Sequence, residues 1–170
     1  MKTLLIMRHA KSSWKHAGMP DHDRPLKKRG ERDAPRMGRL LVEENLVPQL
    51  IITSTAKRAR RTAKMVAKAC GYAGEVVLEH DLYAAGPMGL IRVLRNVDDR
   101  YHRVMVVGHN PGLEVFLEVL TGEAEWLPTA ALAHVELPIG SWRKLQEYVG
   151  GELVGLWTPK KVKARQAGSD

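Results

Sequence analysis

The chain has 170 residues and a mass of 19.0 kDa, enough for one core that hides about two-thirds of the unfolded surface. A formal charge of +8 and a pI of about 9.8 point to an anionic partner: nucleic acid, an acidic protein surface or a phosphorylated molecule. No apolar run is long enough to span a bilayer as a helix, and a lone cysteine, Cys70, excludes an intrachain disulfide.

In chain order, Thr3-Leu4-Leu5-Ile6-Met7 reads as a buried strand that runs straight into Arg8-His9. That leaves no signal-peptide hydrophobic region, so a cytoplasmic location and no membrane partner are expected. Basic residues at Lys27-Lys28-Arg29 precede a helical pattern through Met37, Leu40 and Leu41. A second strand, Leu50-Ile51-Ile52, leads to a helix carrying Ala59, Ala63, Val66, Ala67 and Cys70, with Cys70 as a small buried hydrophobe. Val76-Val77-Leu78 and Val104-Met105-Val106-Val107 have the composition of strands buried on both faces, separated by a weaker helix over 88–97. Leu113, Phe116, Leu117 and Leu120 mark a further helix, and residues 131–137 and 153–157 are candidate strands bounded by prolines and glycines. Residues 1–160 are expected to form one domain, and 161–170 a basic tail. Strands alternating with helices predict an α/β fold, a three-layer α/β/α sandwich around a mostly parallel sheet.

In such a sheet, ligands gather beyond the carboxyl ends of the strands. The first strand ends at Arg8-His9; the second delivers Ser54 and then Arg58; the fourth delivers Gly108-His109-Asn110-Pro111. Asn110 before Pro111 reads as a helix cap with proline in the first turn, and Ser54 reads as the cap of the helix that follows it. Helix starts of that kind aim amide donors and the positive end of a dipole at an anion above the sheet. A neutral imidazole attacks phosphorus when fixed positive charge stabilises the phosphoryl oxygens. His9 is therefore the candidate nucleophile, with Arg8, Arg58 and His109 as its phosphate pocket. The reaction needs no metal or other cofactor, and no His-x-x-x-His or Cys-x-x-Cys spacing occurs. His16, His22, His80, His102 and His134 read as surface or loop residues.

The same residues resemble the histidine phosphatase superfamily, the phosphoglycerate mutase-like family, and within it the short SixA-type phosphohistidine phosphatases. The resemblance rests on Leu4-Leu5-Ile6-Met7-Arg8-His9-Ala10-Lys11-Ser12, on Asp23-Arg24-Pro25-Leu26 with Arg29-Gly30, on Ser54 to Ala63 with Arg58-Ala59 and Thr62-Ala63, and on Val106-Val107-Gly108-His109-Asn110-Pro111-Gly112-Leu113. It implies a phosphoglycerate mutase-like fold, His9 as phosphoacceptor, and Arg8, Arg58 and His109 as phosphate ligands. Ala10 stands where the family's opening motif has glycine. The glutamate acid of larger members has no clear counterpart, with Glu79 and Asp81 as the candidates. An ester leaving group needs that acid more than a phosphoramidate nitrogen does, so a phosphorylated protein histidine is the expected partner.

Two other readings remain at this level. One is a phosphatase for small esters, such as a sugar or nucleotide phosphate. The other is a noncatalytic basic protein binding phosphate or nucleic acid; aromatic content of 5% and the lack of a nucleic-acid-binding motif argue against it. Trp14, Trp126, Trp142 and Trp157 are expected in the core or at a rim. Ser12 and Ser13 fit either a turn or a phosphate donor, and are left out of the catalytic set.

Overall fold

The computed structural model describes residues 1–168, in which strands and helices alternate. They are β1 (Lys2–Arg8), α1 (Lys28–Glu43), β2 (Leu50–Thr53), α2 (Lys57–Cys70), β3 (Val76–Leu78), α3 (Pro87–Arg95), β4 (Arg103–Gly108), α4 (Gly112–Thr121), β5 (Leu132–Leu137), β6 (Glu152–Trp157) and α5 (Pro159–Ala167).

Alternation along the central strands builds two cores. Leu4, Ile6, Val104 and Val106 join one cluster with Leu90, Leu94, Phe116 and Leu120 of α3 and α4. Leu5, Met7, Met105 and Val107 join the other with Met37, Leu41, Ala63 and Val66 of α1 and α2. Both faces of the sheet are covered by helices, which makes the three-layer α/β/α sandwich expected from the element pattern.

Strand order is β3-β2-β4-β1-β5-β6. β1 pairs in parallel with β4, and β2 with both β4 and β3; β5 is antiparallel to β1 and to β6, so it alone runs backwards. Connections that step from β1 to β2 to β3 put α1 and α2 on one face. The return from β3 to β4 reverses direction, and a right-handed crossover then puts α3 on the opposite face. The carboxyl ends of β1, β2 and β4 consequently share one edge. The loop entering the reversed β5 arrives there too, because Ala131 accepts the Arg8 amide (3.1 Å).

Several expectations are corrected. Val76-Val77-Leu78 is a strand, but Val77 and Leu78 are exposed, since β3 ends the sheet and pairs with β2 alone. Residues 161–167 are not a tail. They belong to α5, which Thr158 caps by accepting the Lys161 amide (3.3 Å) and which buries Val162 in the α1–α2 core. Arg165 secures it by pairing with Glu43 (2.8 Å) and Glu44 (2.9 Å) on α1. The rest of the expected tail, residues 169–170, lies outside the described residues. Cys70 is buried at the end of α2, and burial raises its thiol pKa, so it stays protonated.

Candidate active site

His9 follows β1 and is clamped on both sides through its backbone: its amide donates to Gly108 (3.0 Å), and its carbonyl accepts from Ala130 (3.0 Å). The side chain is buried, and Nδ1 lies 2.8 Å from the Ala10 carbonyl. A carbonyl only accepts, so Nδ1 carries the hydrogen and the lone pair sits on Nε2. Burial, reinforced by His109, Arg58 and Arg8, pushes the His9 pKa down to about 3 despite the opposing Ala10 hydrogen bond. The ring is therefore neutral at physiological pH and its nucleophilic nitrogen is fixed.

Thr62 ties this turn to α2. Its hydroxyl donates to the Arg58 carbonyl (2.7 Å) and accepts the Ala10 amide (2.9 Å). Arg58, in the first turn of α2, is buried; Nη1 donates to the Asp21 carbonyl (2.7 Å) and Nη2 to the Asp21 carboxylate (3.0 Å). Arg8 Nη1 donates to the Leu127 carbonyl (3.1 Å). That carbonyl also accepts from Asn110 (2.9 Å), while the Leu127 amide donates to Glu114 (2.8 Å). Burial lowers the Arg8 pKa, with Glu114 opposing. The Nε atoms of Arg8 and Arg58 and one terminal nitrogen of Arg24 are buried without a protein acceptor, as an anion-binding cluster requires.

His109 follows β4. Its ring centroid is 5.1 Å from that of His9, and Nε2 lies 2.8 Å from Ser54 Oγ. Burial, followed by Arg58, pushes its pKa down to about 4, against the pull of Asp21. Arg8, His9, Arg58 and His109, picked from distant segments, are thus brought together. The capping assignments beside them are not borne out. Asn110 spends its amide on Leu127, and Pro111 precedes α4 with no side-chain cap. Ser54 lies two residues ahead of the α2 cap, Ala56, where it accepts the Ala56 amide (3.2 Å) and faces His109. The Ser54 expectation missed because the chain makes a further turn before α2 begins.

Asp21, Arg24 and Tyr83 complete the cluster and were not singled out from sequence. Asp21 accepts from Arg58, from Arg24 Nε (3.0 Å) and from the Tyr83 hydroxyl (2.5 Å). The Tyr83 bond first, and Arg58 next, hold its pKa at about 2, so it is ionised. Tyr83 stands edge-on to the His109 ring at 5.6 Å. Trp14 is exposed and stacks on the buried Arg24 guanidinium at 3.4 Å, a rim position. Trp126 is fully out in solvent, Trp142 is in the core and Trp157 is half-buried.

Glu79 accepts the Asp81 amide (3.2 Å) and Asp81 is exposed. His22 and His80 both hydrogen-bond Thr55 (2.8 and 3.1 Å), with the His22 ring 4.9 Å from Tyr83. His16 and His102 are exposed, whereas His134 lies within β5 and faces Glu136 (2.7 Å) rather than sitting in a loop. Ser12 and Ser13 are buried. Among the described residues, no three His, Cys, Asp or Glu side chains are grouped to hold a metal ion, and no helix is long and apolar enough to cross a membrane.

The histidine phosphatase superfamily (branch 1) matches residues 4–83, the part that holds His9 and Arg58. An uncharacterised chloroplastic protein of Arabidopsis thaliana is 34% identical over 93% of this chain and 78% of its own length. A crystal structure from Agrobacterium tumefaciens, assigned as phosphohistidine phosphatase SixA, superposes with a TM-score of 0.80 at 27% identity, covering 93% of this chain and 98% of that one. A structure assigned likewise from Nakamurella multipartitia gives 0.81 at 26% identity, with 93% and 96% covered. With likeness running through nearly the whole chain in both sequence and backbone, this protein belongs to the histidine phosphatase superfamily, in its SixA-type, phosphoglycerate mutase-like branch, and is a hydrolase of the phosphatase class.

Proposed function

We propose that this chain is a metal-independent protein phosphohistidine phosphatase that works through a phosphohistidine intermediate on His9. The observation that carries the reading is the Nδ1 hydrogen bond to Ala10, which leaves a fixed lone pair on Nε2 in a ring kept neutral by burial. Nε2 attacks phosphorus while Arg8, Arg58 and His109 hold the phosphoryl oxygens. The bond from phosphorus to the substrate nitrogen breaks, and its electron pair stays on that nitrogen, which takes a proton from solvent. Water then attacks phosphorus, the bond to His9 Nε2 breaks, and orthophosphate leaves.

The substrate class follows from leaving-group chemistry. The carboxylate within the cluster, Asp21, is ionised and bound by two arginines and a tyrosine, so it has no proton to give. An imidazole leaving group needs little acid assistance, whereas an alkoxide needs a good deal. A cytoplasmic location is part of the same proposal.

A second reading is a phosphatase for small esters. It is favoured by an apolar cavity of about 460 Å³ beside His109, walled by Ala84, Ala85, Pro87, Pro111 and Val115, which suits a small organic group. The test compares turnover of a histidine-phosphorylated carrier protein with that of sugar and nucleotide phosphates. Faster release from the protein, lost in His9→Ala, supports the first reading. Faster turnover of an ester moves the assignment to the second, and full activity in His9→Ala rejects the mechanism for both.

A further inference from the structure

Two basic stretches, Lys27-Lys28-Arg29 and Lys160-Lys161 with Lys163, play no part in the catalytic cluster, yet the fold brings residues of both to one cavity of about 580 Å³. Arg29, Arg32 and Arg36 stand three and four residues apart, so they form one stripe along α1. Lys160 and Lys163 face them from α5, which docks against α1. One carboxylate opposes these five cations. Asp33 is buried and takes Arg36 at 3.0 Å and Arg29 at 3.7 Å, which orients the arginine stripe without neutralising it. Arg32, Lys160 and Lys163 have no ion-pair partner among the described residues.

The remaining wall links this cavity to the catalytic cluster. Pro128 and Thr129 line it, in the same loop whose Leu127 carbonyl holds Arg8 and whose Ala130 amide holds His9. On the α1 side, Gly30 lies so close to the Lys11 backbone that a Cβ would come within 2.3 Å of the Lys11 carbonyl oxygen. One wall of the cavity is therefore the loop that hydrogen-bonds both Arg8 and His9.

We propose that the cavity between α1 and α5 is a second ligand site, for a small molecule carrying several phosphates in a row, the class that includes nucleoside triphosphates. Its volume lies in the range of small-ligand pockets, and guanidinium forks with exposed lysines match a chain of phosphates better than a single one. A concavity between two helices and a loop favours such a ligand over a nucleic-acid strand.

The test is calorimetric titration of inorganic tripolyphosphate, and separately of ATP, at a salt concentration of about 150 mM. Full-length Arg58→Ser protein is used, which weakens competition from the catalytic pocket, and the readout is binding rather than turnover. Saturable binding is expected, weakened at least about tenfold by adding R32S and K163S, because each loss removes a charge-assisted contact. Both positions are exposed, so an unchanged thermal midpoint shows that the fold persists. Unchanged affinity in the R32S/K163S protein overturns the proposal, as does absence of binding up to millimolar ligand. Binding of an RNA oligonucleotide, but not of tripolyphosphate, through the same residues also overturns it and makes the face a nucleic-acid surface. A failed phosphohistidine assay leaves this result standing, since no catalysis is measured.

Discussion

The catalytic end of the sheet and the α1–α5 cavity are both rich in arginine, yet they hold it in opposite ways. At the catalytic end Arg58 and Arg24 are buried and tied to Asp21, Arg58 through both terminal nitrogens, and Arg8 is tied to Leu127, so each guanidinium is fixed and keeps another nitrogen without a protein acceptor. In the cavity Arg29 and Arg32 are exposed on a helix surface, and Asp33 alone anchors the set. Preorganised charge lowers a reaction barrier because it need not reorganise as the phosphoryl group moves, whereas mobile charge attracts an anion without guiding chemistry. The difference implies that substitutions at the first region act on rate, and those at the second on binding alone.

The sharpest break of that contrast is His9→Ala, which should cut phosphate release by at least about a thousandfold, since it removes the ring whose Nε2 lone pair is fixed among the arginines. Arg58→Lys keeps the charge but loses the planar fork held by Asp21 and the Nε donor left without a protein acceptor; kcat should fall by about a hundredfold in a steady-state phosphate assay. Asp21→Asn leaves Arg58 present but less restrained, and we expect about a tenfold loss in kcat with a smaller change in KM. Equal losses in Asp21→Asn and His9→Ala would mean that Asp21 does chemistry rather than positioning.

How far the sequence foretold these residues depends on how each is held. His9 and His109 follow strand ends and Arg58 sits in the first turn of the helix after β2, so the apolar runs placed them, and the Arg-His and Ser-to-Ala motifs decided the choice. Thr62 was visible only as part of a motif; its role, bridging Ala10 to α2, needs the packed fold. Asp21 and Tyr83 are joined by a hydrogen bond across 62 residues, one opening a short 3-10 turn and the other closing a second, and no periodic signal marks either. The Leu127 carbonyl was hidden more deeply, because any residue type can supply one. Residues 161–167 were misread because Val162 is the one large apolar side chain in a run of lysines, and its burial depends on α1 lying beneath it.

A smaller effect concerns acid. His9 and His109 have pKa values of about 3 and about 4, below the ordinary 6.5 that the unfolded chain would show. Between these values the unfolded chain binds more protons, so the contribution of both rings to stability is complete above about pH 6.5 and declines as pH falls toward the folded values. Urea midpoints should drop from pH 7 to pH 4, with a shallower decline in His109→Gln; identical slopes would show that His109 is not held neutral in the fold. The smallest effect is expected at the cavity: without added ligand, R32S/K163S should keep turnover of p-nitrophenyl phosphate within about twofold, as distant exposed charges are screened by salt.

The central claim is that His9 Nε2 becomes covalently phosphorylated, and rapid acid-free quenching during turnover followed by mass-spectrometric mapping tests it directly. The account predicts a phosphoryl group on His9, stable to base, labile to acid and missing from His9→Ala. A phosphoryl group on any other residue, or undiminished turnover in His9→Ala, would contradict it.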